Sequence, residues 1–382
     1  MEMISPNQER EKYLLNIKSI FDLNELFKKL ENLKNINVLC IGDTVIDRYT
    51  FVDPKGRALK DSILSTIFQG EENYAGGILA LVNHMGAFVN NIKLVTLVGD
   101  KWDSFEENNS IFDFLKKEVA SNVELKCFVK KNSPTTIKKR YIDAYKKNKL
   151  FKVEYINDEP ISSELSSEIS SYLSDELPDY DLIVVLDYDH GFINEEIRKV
   201  IQEKSRFLSI NSQVNSSNLG FNYITKYNRS DFIAMNEVEL RLPMRMKFEN
   251  IEEVIDKFSK EYHHNTFLVT LGRKGCLFFN KNVKYKAPIL TDKVVDAVGA
   301  GDAIFALTSL LAYSNFSGEE ISFIVNCVGG IEVNILGNKE YITKEKLFSF
   351  MTDAYNGSKE KERIGNEEYI NKEKLLAIIK RI

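Results

Sequence analysis

Short runs of apolar residues recur along the chain and alternate with amphipathic or polar segments. These runs span residues 38–41, 94–98, 182–186, 207–210, 232–235 and 267–271. Continuous apolar runs of this length are typical of parallel strands that are buried on both faces of a sheet. Because helical or polar segments separate most of them, the pattern predicts an α/β fold with a mainly parallel central sheet.

A helical pattern precedes the first of these runs. The apolar residues that follow Asp22 recur three or four positions apart, at Leu23, Leu26, Phe27, Leu30 and Leu33. Asp22 is a preferred N-cap residue, and Glu25 three residues later gives a pattern that resembles a capping box. We therefore expect a helix that begins at Asp22 and packs on the core, followed by a buried strand that ends at Gly42 and Asp43.

Two stretches break the alternation of apolar runs and helices. Residues 48–75 and 125–155 are rich in Thr, Tyr, Phe and Lys in short alternating patterns. Such alternation is typical of antiparallel strands with one face exposed to water. We interpret these stretches as a small β-sheet inserted into the α/β domain as a lid, and lids commonly close over a reacting centre.

The C-terminal part of the chain contains an internal repeat. The segment GNKEYITKEKL at 337–347 recurs as GNEEYINKEKL at 365–375. Thr343 and Asn371 are each predicted to cap a short amphipathic helix. Two copies are too few for a solenoid, so we interpret the repeat as a local duplication used in packing or association. The predicted organisation is an N-terminal helical extension over 1–35, one domain over 36–345 and a C-terminal helical extension over 346–382.

Composition and charge exclude several classes of protein. The chain has 51 Lys and Arg against 56 Asp and Glu, a net charge of −5, and so lacks the basic field that holds nucleic acid. Its four cysteines are widely spaced and form no CxxC motif, which predicts reduced thiols rather than a zinc site or disulfides. The charged N-terminus and the absence of an apolar stretch of about 20 residues predict a cytoplasmic protein without a membrane span.

The segment that most clearly indicates chemistry is DAVGAGD at residues 296–302, which precedes an apolar helical stretch. Small residues allow a ligand to approach the backbone, and the amides of a helix start form an anion site. A carboxylate at the edge of such a site, here Asp302, is suited to remove a proton from a hydroxyl that attacks a phosphoryl group. The alternative, an ordinary cap of a core helix, has about equal weight from the residues alone.

Three further segments lie at predicted strand ends, where open α/β sheets bind ligands. TLGRKG at 270–275 is one of them, with a tight turn as the alternative. NEVE at 236–239 is another of these segments. Its Glu239 is suited to hold a hydrated metal ion near Asn236, with the negatively charged start of a solvated helix as the alternative. In GDTVID, Asp43 and Asp47 are placed to accept hydrogen bonds from sugar hydroxyls, although Asp at a strand end is often only a turn former.

Taken together and in this order, these segments resemble the ribokinase/PfkB family of carbohydrate kinases over about residues 36–345. DAVGAGD is similar to the family signature, TLGRKG to its nucleotide loop and NEVE to its N-x-x-E motif. Gly76 and Gly77 are similar to the family's glycine pair at the lid hinge. The resemblance implies a ribokinase-like three-layer sandwich with a mainly parallel central sheet and a small inserted β-sheet lid.

The resemblance also implies roles around a phosphoryl group. Asp302 is expected to be the general base, and the amides of Gly299, Ala300 and Gly301 to form the anion hole for the γ-phosphoryl group. ATP and Mg²⁺ are the implied cofactors, with Glu239 holding the metal through water. The resemblance is also compatible with a monovalent cation as a further cofactor.

The other implied roles concern the nucleotide and the acceptor. The residues expected to line the nucleotide or its phosphates are Thr270, Gly272, Gly275, Asn236, Glu239 and Asn326, the last near adenine. Asp47, Gly76 and Gly77 are expected to hold the sugar. Lys138 and Arg140, on a predicted lid strand, are suited to a substrate phosphate, with a solvated lid face as the alternative.

The segments GDTVIDRY, PTTIKKRY and LDYDHGF resemble most closely the family members that act on heptose 7-phosphate. Two departures leave the sugar open. Residues 78–87 do not place an Asn soon after the glycine pair, where the family typically uses one to contact the sugar. INSQVN at 210–215 replaces a frequent Asp-Pro strand end.

The predicted function is ATP-dependent phosphorylation of a hydroxyl on a sugar or sugar phosphate, by an enzyme that associates as a homodimer through its lid. A catalytically weak nucleotide- or sugar-binding regulator is the alternative from another class. A nucleoside or vitamin kinase of the same fold is a further alternative, because fold alone does not choose the acceptor.

Overall fold

Strands alternate with helices along the chain, as the apolar runs predict. The computed structural model describes residues 5–100, 111–218 and 220–356. The strands in these ranges are β1 (Val38–Arg57), β2 (Leu64–Gly77), β3 (Ile92–Gly99), β4 (Val123–Lys130), β5 (Thr136–Asp143), β6 (Lys149–Tyr155), β7 (Leu182–Asp187), β8 (Phe207–Ser212), β9 (Phe232–Asn236), β10 (Thr266–Thr270), β11 (Cys276–Asn280) and β12 (Val283–Ala287). The α-helices are α1 (Pro6–Ile20), α2 (Leu23–Glu31), α3 (Ile78–Gly86), α4 (Ile111–Glu118), α5 (Ser163–Glu176), α6 (Glu195–Lys204), α7 (Glu237–Met244), α8 (Ile251–Tyr262), α9 (Ala300–Tyr313), α10 (Gly318–Glu332) and α11 (Lys344–Asn356).

The central sheet is mainly parallel and has the strand order β12-β11-β10-β9-β8-β7-β1-β3-β4. The six apolar runs form β1, β3, β7, β8, β9 and β10, and every pair of neighbours among them is parallel. Only the hairpin strands β11 and β12 add antiparallel pairs to this path. The predicted α/β fold with a mainly parallel sheet is confirmed.

Helices cover both faces of the central sheet and create two cores. Along β1, Val38 and Cys40 belong to one core, whereas Leu39 and Ile41 belong to the other, because successive side chains of a strand point to opposite faces. The first core also contains residues of α1–α4 and α9–α11, and the second contains residues of α5–α8. This arrangement is the predicted three-layer sandwich. Among the described residues, no helix is both long and apolar enough to cross a membrane.

A second, smaller sheet has the strand order β2-β1-β5-β6 and forms the lid. The prediction from the sequence was wrong in three details of this sheet and of the strand that leads into it. The strand β1 does not end at Gly42 and Asp43 but continues to Arg57, so that it belongs to both sheets. The strand β5 runs parallel to β1 rather than antiparallel.

The third error concerns residues 125–130, which were assigned to the lid. They lie in β4, an edge strand of the central sheet that pairs with β3. The side chains of β4 vary between buried and exposed because helices cover this edge only partly. The polar alternation of an edge strand therefore resembled that of a lid strand.

The terminal helices pack together beside the first core. Asp22 caps α2 by accepting hydrogen bonds from the amides of Asn24 and Glu25, which confirms the predicted helix start. The rings of Phe27 and Phe348 stack at 4.2 Å and join α2 to α11. The Thr343 hydroxyl accepts a hydrogen bond from the Lys346 amide at the start of α11, as predicted. The second copy of the repeat and its Asn371 lie outside the described residues.

Candidate active site

A cleft of about 350 Å³ lies between the carboxyl ends of the central strands and the lid sheet. Most of the predicted site residues line it, although they come from distant parts of the chain. These residues are Asp47, Gly77, Lys138, Arg140, Asn236, Glu239, Thr270, Gly299, Gly301 and Asp302. The cleft therefore brings the predicted phosphoryl and acceptor residues together.

Six predicted residues do not line this cleft. Asp43 is buried, and its carboxylate accepts a hydrogen bond from the Tyr188 amide at 2.9 Å. Ala300 begins α9, while Gly272 and Gly275 form the turn between β10 and β11. Gly76 lies beneath Asp47, where a Cβ atom at position 76 would come within 2.6 Å of the carboxylate. Asn326 lies on α10 and donates a hydrogen bond to the Ser322 carbonyl at 2.8 Å. The nucleotide roles of Gly272, Gly275 and Asn326 stay predictions.

Asp302 lies in the first turn of α9 and faces the cleft with only 6% of its surface exposed. The Tyr188 hydroxyl donates to both of its carboxylate oxygens at 3.2 Å, and the Gln213 side-chain amide donates to Oδ1 at 2.8 Å. Burial raises the pKa of Asp302 to about 7, and these two hydrogen bonds oppose that rise. A pKa near neutrality suits a group that must take up a proton in its reaction.

The helix start beside Asp302 is built for close approach of an anion. Gly299 is the N-cap of α9 with φ of +89°, a conformation that favours glycine. The first amides of a helix have no partner within it, and they lie at the positive end of its dipole. The Asn338 side chain packs so tightly on Gly299 that a Cβ atom there would come within 2.1 Å of Asn338 Oδ1. These amides can therefore hold phosphoryl oxygens at the edge of the cleft.

Asn236 and Glu239 form a capping box at the start of α7. Asn236 Oδ1 accepts from the Glu239 amide at 2.9 Å, and Glu239 Oε2 accepts from the Asn236 amide at 2.8 Å. Glu239 Oε1 accepts from the Val214 amide at 3.2 Å. Burial raises the pKa of Glu239 to about 7.

A tight protein cage for a metal ion is not formed at this site. Within the described ranges, no three His, Cys, Asp or Glu side chains are grouped closely enough to hold one. Mg²⁺ usually keeps several waters and binds through one or two carboxylates together with substrate phosphates. The residues fit such a hydrated ion, because the Glu239 carboxylate lines the cleft while its amide contacts hold it in place.

The acceptor side of the cleft contains charges of both signs. The Arg140 guanidinium pairs with Asp47 Oδ1, and Asn338 Nδ2 donates to Asp47 Oδ2 at 3.0 Å. Lys138 has only 8% of its surface exposed, and its Nζ atom lies 4.3 Å from the centre of the Tyr188 ring. Its ammonium forms no hydrogen bond or ion pair with any residue that the structure describes. Burial lowers the pKa of Lys138.

The lid strand β6 is tied to two loops around the cleft. Lys149 Nζ lies 2.6 Å from Asp296 Oδ1, in the segment that precedes α9. Lys152 Nζ donates to Ser216 Oγ at 2.6 Å, in the loop after β8. These contacts hold the lid sheet over the central sheet.

Sequence reasoning did not predict three residues that touch the groups named above: Tyr188, Gln213 and Asn338. Tyr188 follows β7, within the segment LDYDHGF that carries part of the resemblance to heptose 7-phosphate kinases. Gln213 lies in the segment 210–215, where the sequence departs from the family. Asn338 lies in the first copy of the repeat, whose pattern indicates only packing or association. In each case the sequence singled out the segment, by its resemblance, its departure from the family or its repetition, but not the residue that contacts the site.

Comparisons with known proteins identify the family of this chain. The family model described as pfkB family carbohydrate kinase matches residues 35–329. A bifunctional protein HldE from Nitratiruptor sp. is 24% identical over 303 residues, which are 78% of this chain and 62% of that protein. The corresponding protein of Campylobacter jejuni is 23% identical with the same coverage, so the chain spans somewhat less than two thirds of these relatives.

Solved structures show the same fold at low sequence identity. Ribokinase from Thermotoga maritima has a TM-score of 0.61 and 18% identity, with 83% of this chain and 100% of that chain covered. Phosphofructokinase-2 from Escherichia coli, in complex with fructose-6-phosphate, has a TM-score of 0.63 and 11% identity with the same coverage. Because the family model matches well over half of the residues, the chain belongs to the pfkB family of carbohydrate kinases.

Proposed function

We propose that this protein transfers the γ-phosphoryl group of ATP to a hydroxyl group of a sugar phosphate. The observation that carries the proposal is the position of Asp302. Its buried carboxylate lies beside the anion site at the start of α9 and shares one cleft with the acceptor-side residues Asp47 and Lys138. A base, an anion site and an acceptor site in this arrangement are what an in-line phosphoryl transfer needs.

Asp302 takes the proton in the proposed reaction. As the acceptor oxygen forms its bond to the γ-phosphorus, its O–H bond breaks and the proton passes to the Asp302 carboxylate. The bond from the γ-phosphorus to the bridging oxygen breaks at the same time, and ADP leaves with that electron pair. The amides at the start of α9 stabilise the charge on the transferring group. Mg²⁺, when bound, neutralises charge on the phosphate oxygens.

The proposal also specifies that the acceptor carries a phosphate group. The Lys138 ammonium has no ion-pair partner in the part of the chain that the structure describes, and it lies within the cleft, where a substrate phosphate can pair with it. Arg140 is already paired with Asp47 and therefore serves to hold that carboxylate. Together with the likeness of several segments to heptose 7-phosphate kinases, this supports heptose 7-phosphate as the acceptor.

A screen of acceptors tests the proposed function. ADP release is measured with ATP and Mg²⁺, in K⁺ and in Na⁺ buffers, for heptose 7-phosphate, fructose 6-phosphate and the corresponding neutral sugars. We expect turnover with a phosphorylated sugar to exceed that with its neutral counterpart. ATP binding without ADP release for any acceptor would contradict the proposal and favour a regulatory binding protein.

We also propose that two chains associate through their lids. Within the described residues, β2 and β6 each have one unpaired edge. Three large apolar side chains of β2, those of Leu64, Ile67 and Phe68, are 47–64% exposed. Unpaired edges with apolar side chains are prone to pair with another chain.

The mass in solution checks this association. By sedimentation equilibrium we expect the mass of two chains for the wild type and of one chain for Phe68→Glu. Phe248 is 88% exposed on the loop before α8, far along the chain from the lid, so that Phe248→Glu is a matched control that remains dimeric. A wild type with the mass of one chain would exclude the association.

A further inference from the structure

Two neutral hydrogen-bond donors converge on one oxygen of Asp302. Gln213 Nε2 donates to Oδ1 at 2.8 Å, and the Tyr188 hydroxyl lies 3.2 Å from both Oδ1 and Oδ2. Oδ1 therefore contacts two donors, whereas Oδ2 has only a share of the single Tyr188 proton. We infer that Tyr188 and Gln213 are positioning residues that hold Oδ1 and leave Oδ2 as the oxygen that receives the substrate proton.

Both donors are themselves held by a buried polar network. The Tyr188 amide donates to Asp43 Oδ2 at 2.9 Å, and the Tyr188 carbonyl accepts from Asn218 Nδ2 at 2.9 Å. The Gln213 carbonyl accepts from the side chains of Asn218 and Asn222 at 3.1 Å and 3.0 Å. The side chains of Asp43, Asn218 and Asn222 thus fix the backbones that carry the two donors. Such support is what holds a reactive group in one orientation.

The donors also favour the charged form of Asp302. Titratable and charged side chains act on this carboxylate, or are acted on by it, from several surrounding elements: Asp47 on β1, Lys138 on β5, Tyr188 after β7, Glu239 on α7 and Glu332 on α10. Burial and the Asp47 carboxylate raise the pKa of Asp302, while Tyr188, Lys138 and Gln213 lower it. Because both donors bind the ionised form more strongly, removing either one should raise the pKa.

The direction of the pH effect follows from the role of Asp302 as a base. Activity requires the unprotonated carboxylate, so kcat/KM should fall as the pH decreases through the pKa of about 7. This decrease on the acid side of the pH profile is its acid limb, and a higher pKa of Asp302 moves the acid limb to higher pH. The rate of the variant then recovers at alkaline pH, whereas simple damage to the fold would lower the rate at every pH.

The experiment compares Gln213→Leu and Tyr188→Phe with the wild type, and it rests on the proposed function for its kinetic readout. Leucine removes the amide at similar volume, and phenylalanine removes the hydroxyl while keeping the ring beneath Lys138. We expect the acid limb of kcat/KM to move upward by roughly one pH unit in each variant. Gln213→Glu, which adds a carboxylate beside Asp302, should move it further.

A matched control and an activity-independent measurement complete the test. The Gln202 side-chain oxygen accepts hydrogen bonds from the amides of Asn228 and Arg229 rather than contacting Asp302. Gln202→Leu should therefore leave the acid limb in place. Carboxyl ¹³C NMR follows the titration of Asp302 directly, with Asp302→Asn identifying its signal. Upward movement of this titration in both donor variants supports the inference even if no acceptor gives turnover, in which case only the proposed function fails. An unmoved titration in both variants would overturn the inference.

Discussion

The Asp302→Asn variant is expected to lower kcat by about 10²–10⁴-fold, the usual contribution of a general base. Asparagine keeps the shape of the side chain, and its oxygen still accepts from Gln213, but it takes up no proton at these pH values. The buried carboxylate has a pKa of about 7, so the loss should be largest above neutrality, where the wild-type base is ionised. Single-turnover ADP formation at pH 8 with saturating ATP measures the effect.

Two controls separate this loss from general damage. Asp256 lies on α8 and pairs with Lys284 at 2.7 Å, outside the cleft, so that Asp256→Asn is the same substitution away from the reaction. It should keep full activity. ATP affinity and the urea midpoint of Asp302→Asn should also stay close to those of the wild type. Unchanged kcat in Asp302→Asn would remove this residue from the mechanism.

Replacing Lys138 with methionine is expected to reduce kcat/KM for a phosphorylated acceptor by about 10–100-fold. A hydrogen bond to a charged group contributes about 1.5–3 kcal/mol, and about 1.4 kcal/mol corresponds to a factor of ten. A neutral sugar forms no such bond. Its smaller kcat/KM should therefore change little when both acceptors are measured well above the pKa of Asp302, where the loss of the Lys138 charge no longer affects the ionisation of that carboxylate. The specificity for the phosphorylated acceptor therefore falls.

The stability of Lys138→Met should change in the opposite direction from its activity. Within the described residues the wild-type ammonium is buried without a direct ion pair, and a buried charge that lacks such a partner lowers stability. Methionine keeps the apolar stem and removes the charge. We therefore expect a urea unfolding midpoint equal to or above that of the wild type, as for other sites where function and stability conflict.

The next residue of β5 provides the matched control. Lys139 projects to the other face of the strand, where its Nζ atom lies 2.8 Å from Glu71 Oε2. Lys139→Met removes the same charge without facing the cleft, and it should leave acceptor specificity unchanged. Equal losses for the phosphorylated and neutral acceptors in Lys138→Met would show that Lys138 does not bind the phosphate.

The central part of the fold was predictable because its signals are local. Each of the six parallel strands is a mostly apolar run, since each is buried on both faces. The start of α2 was also predictable, from Asp22 and the helical spacing of the apolar residues that follow it. The lid was predicted as a second sheet, but its boundaries and its pairing were not. The edge strand β4 has the same partly exposed pattern as a lid strand, and only its pairing with β3 separates the two.

The residues of the candidate site likewise fall into those that a local segment indicates and those that only the fold brings together. The segment 296–302 carries the base and the anion site within seven consecutive residues, so the sequence alone indicated that chemistry. The partners of Asp302 lie 114 and 89 residues away in the chain, and Asn338 lies 291 residues from Asp47. No periodicity or motif relates residues at such separations.

The sequence by itself therefore determined the α/β class, the three layers through a family resemblance, and the identity of the proposed base. Only the tertiary structure decided which of the cations Lys138 and Arg140 pairs with a carboxylate, and which side chains donate hydrogen bonds to Asp302. Lys138 and Arg140 are equivalent in the sequence as neighbouring cations of one strand. Arg140 meets Asp47, whereas Lys138 meets the face of Tyr188. The physical reason is that charge pairing depends on distances of a few ångströms, which only the packing of distant strands sets.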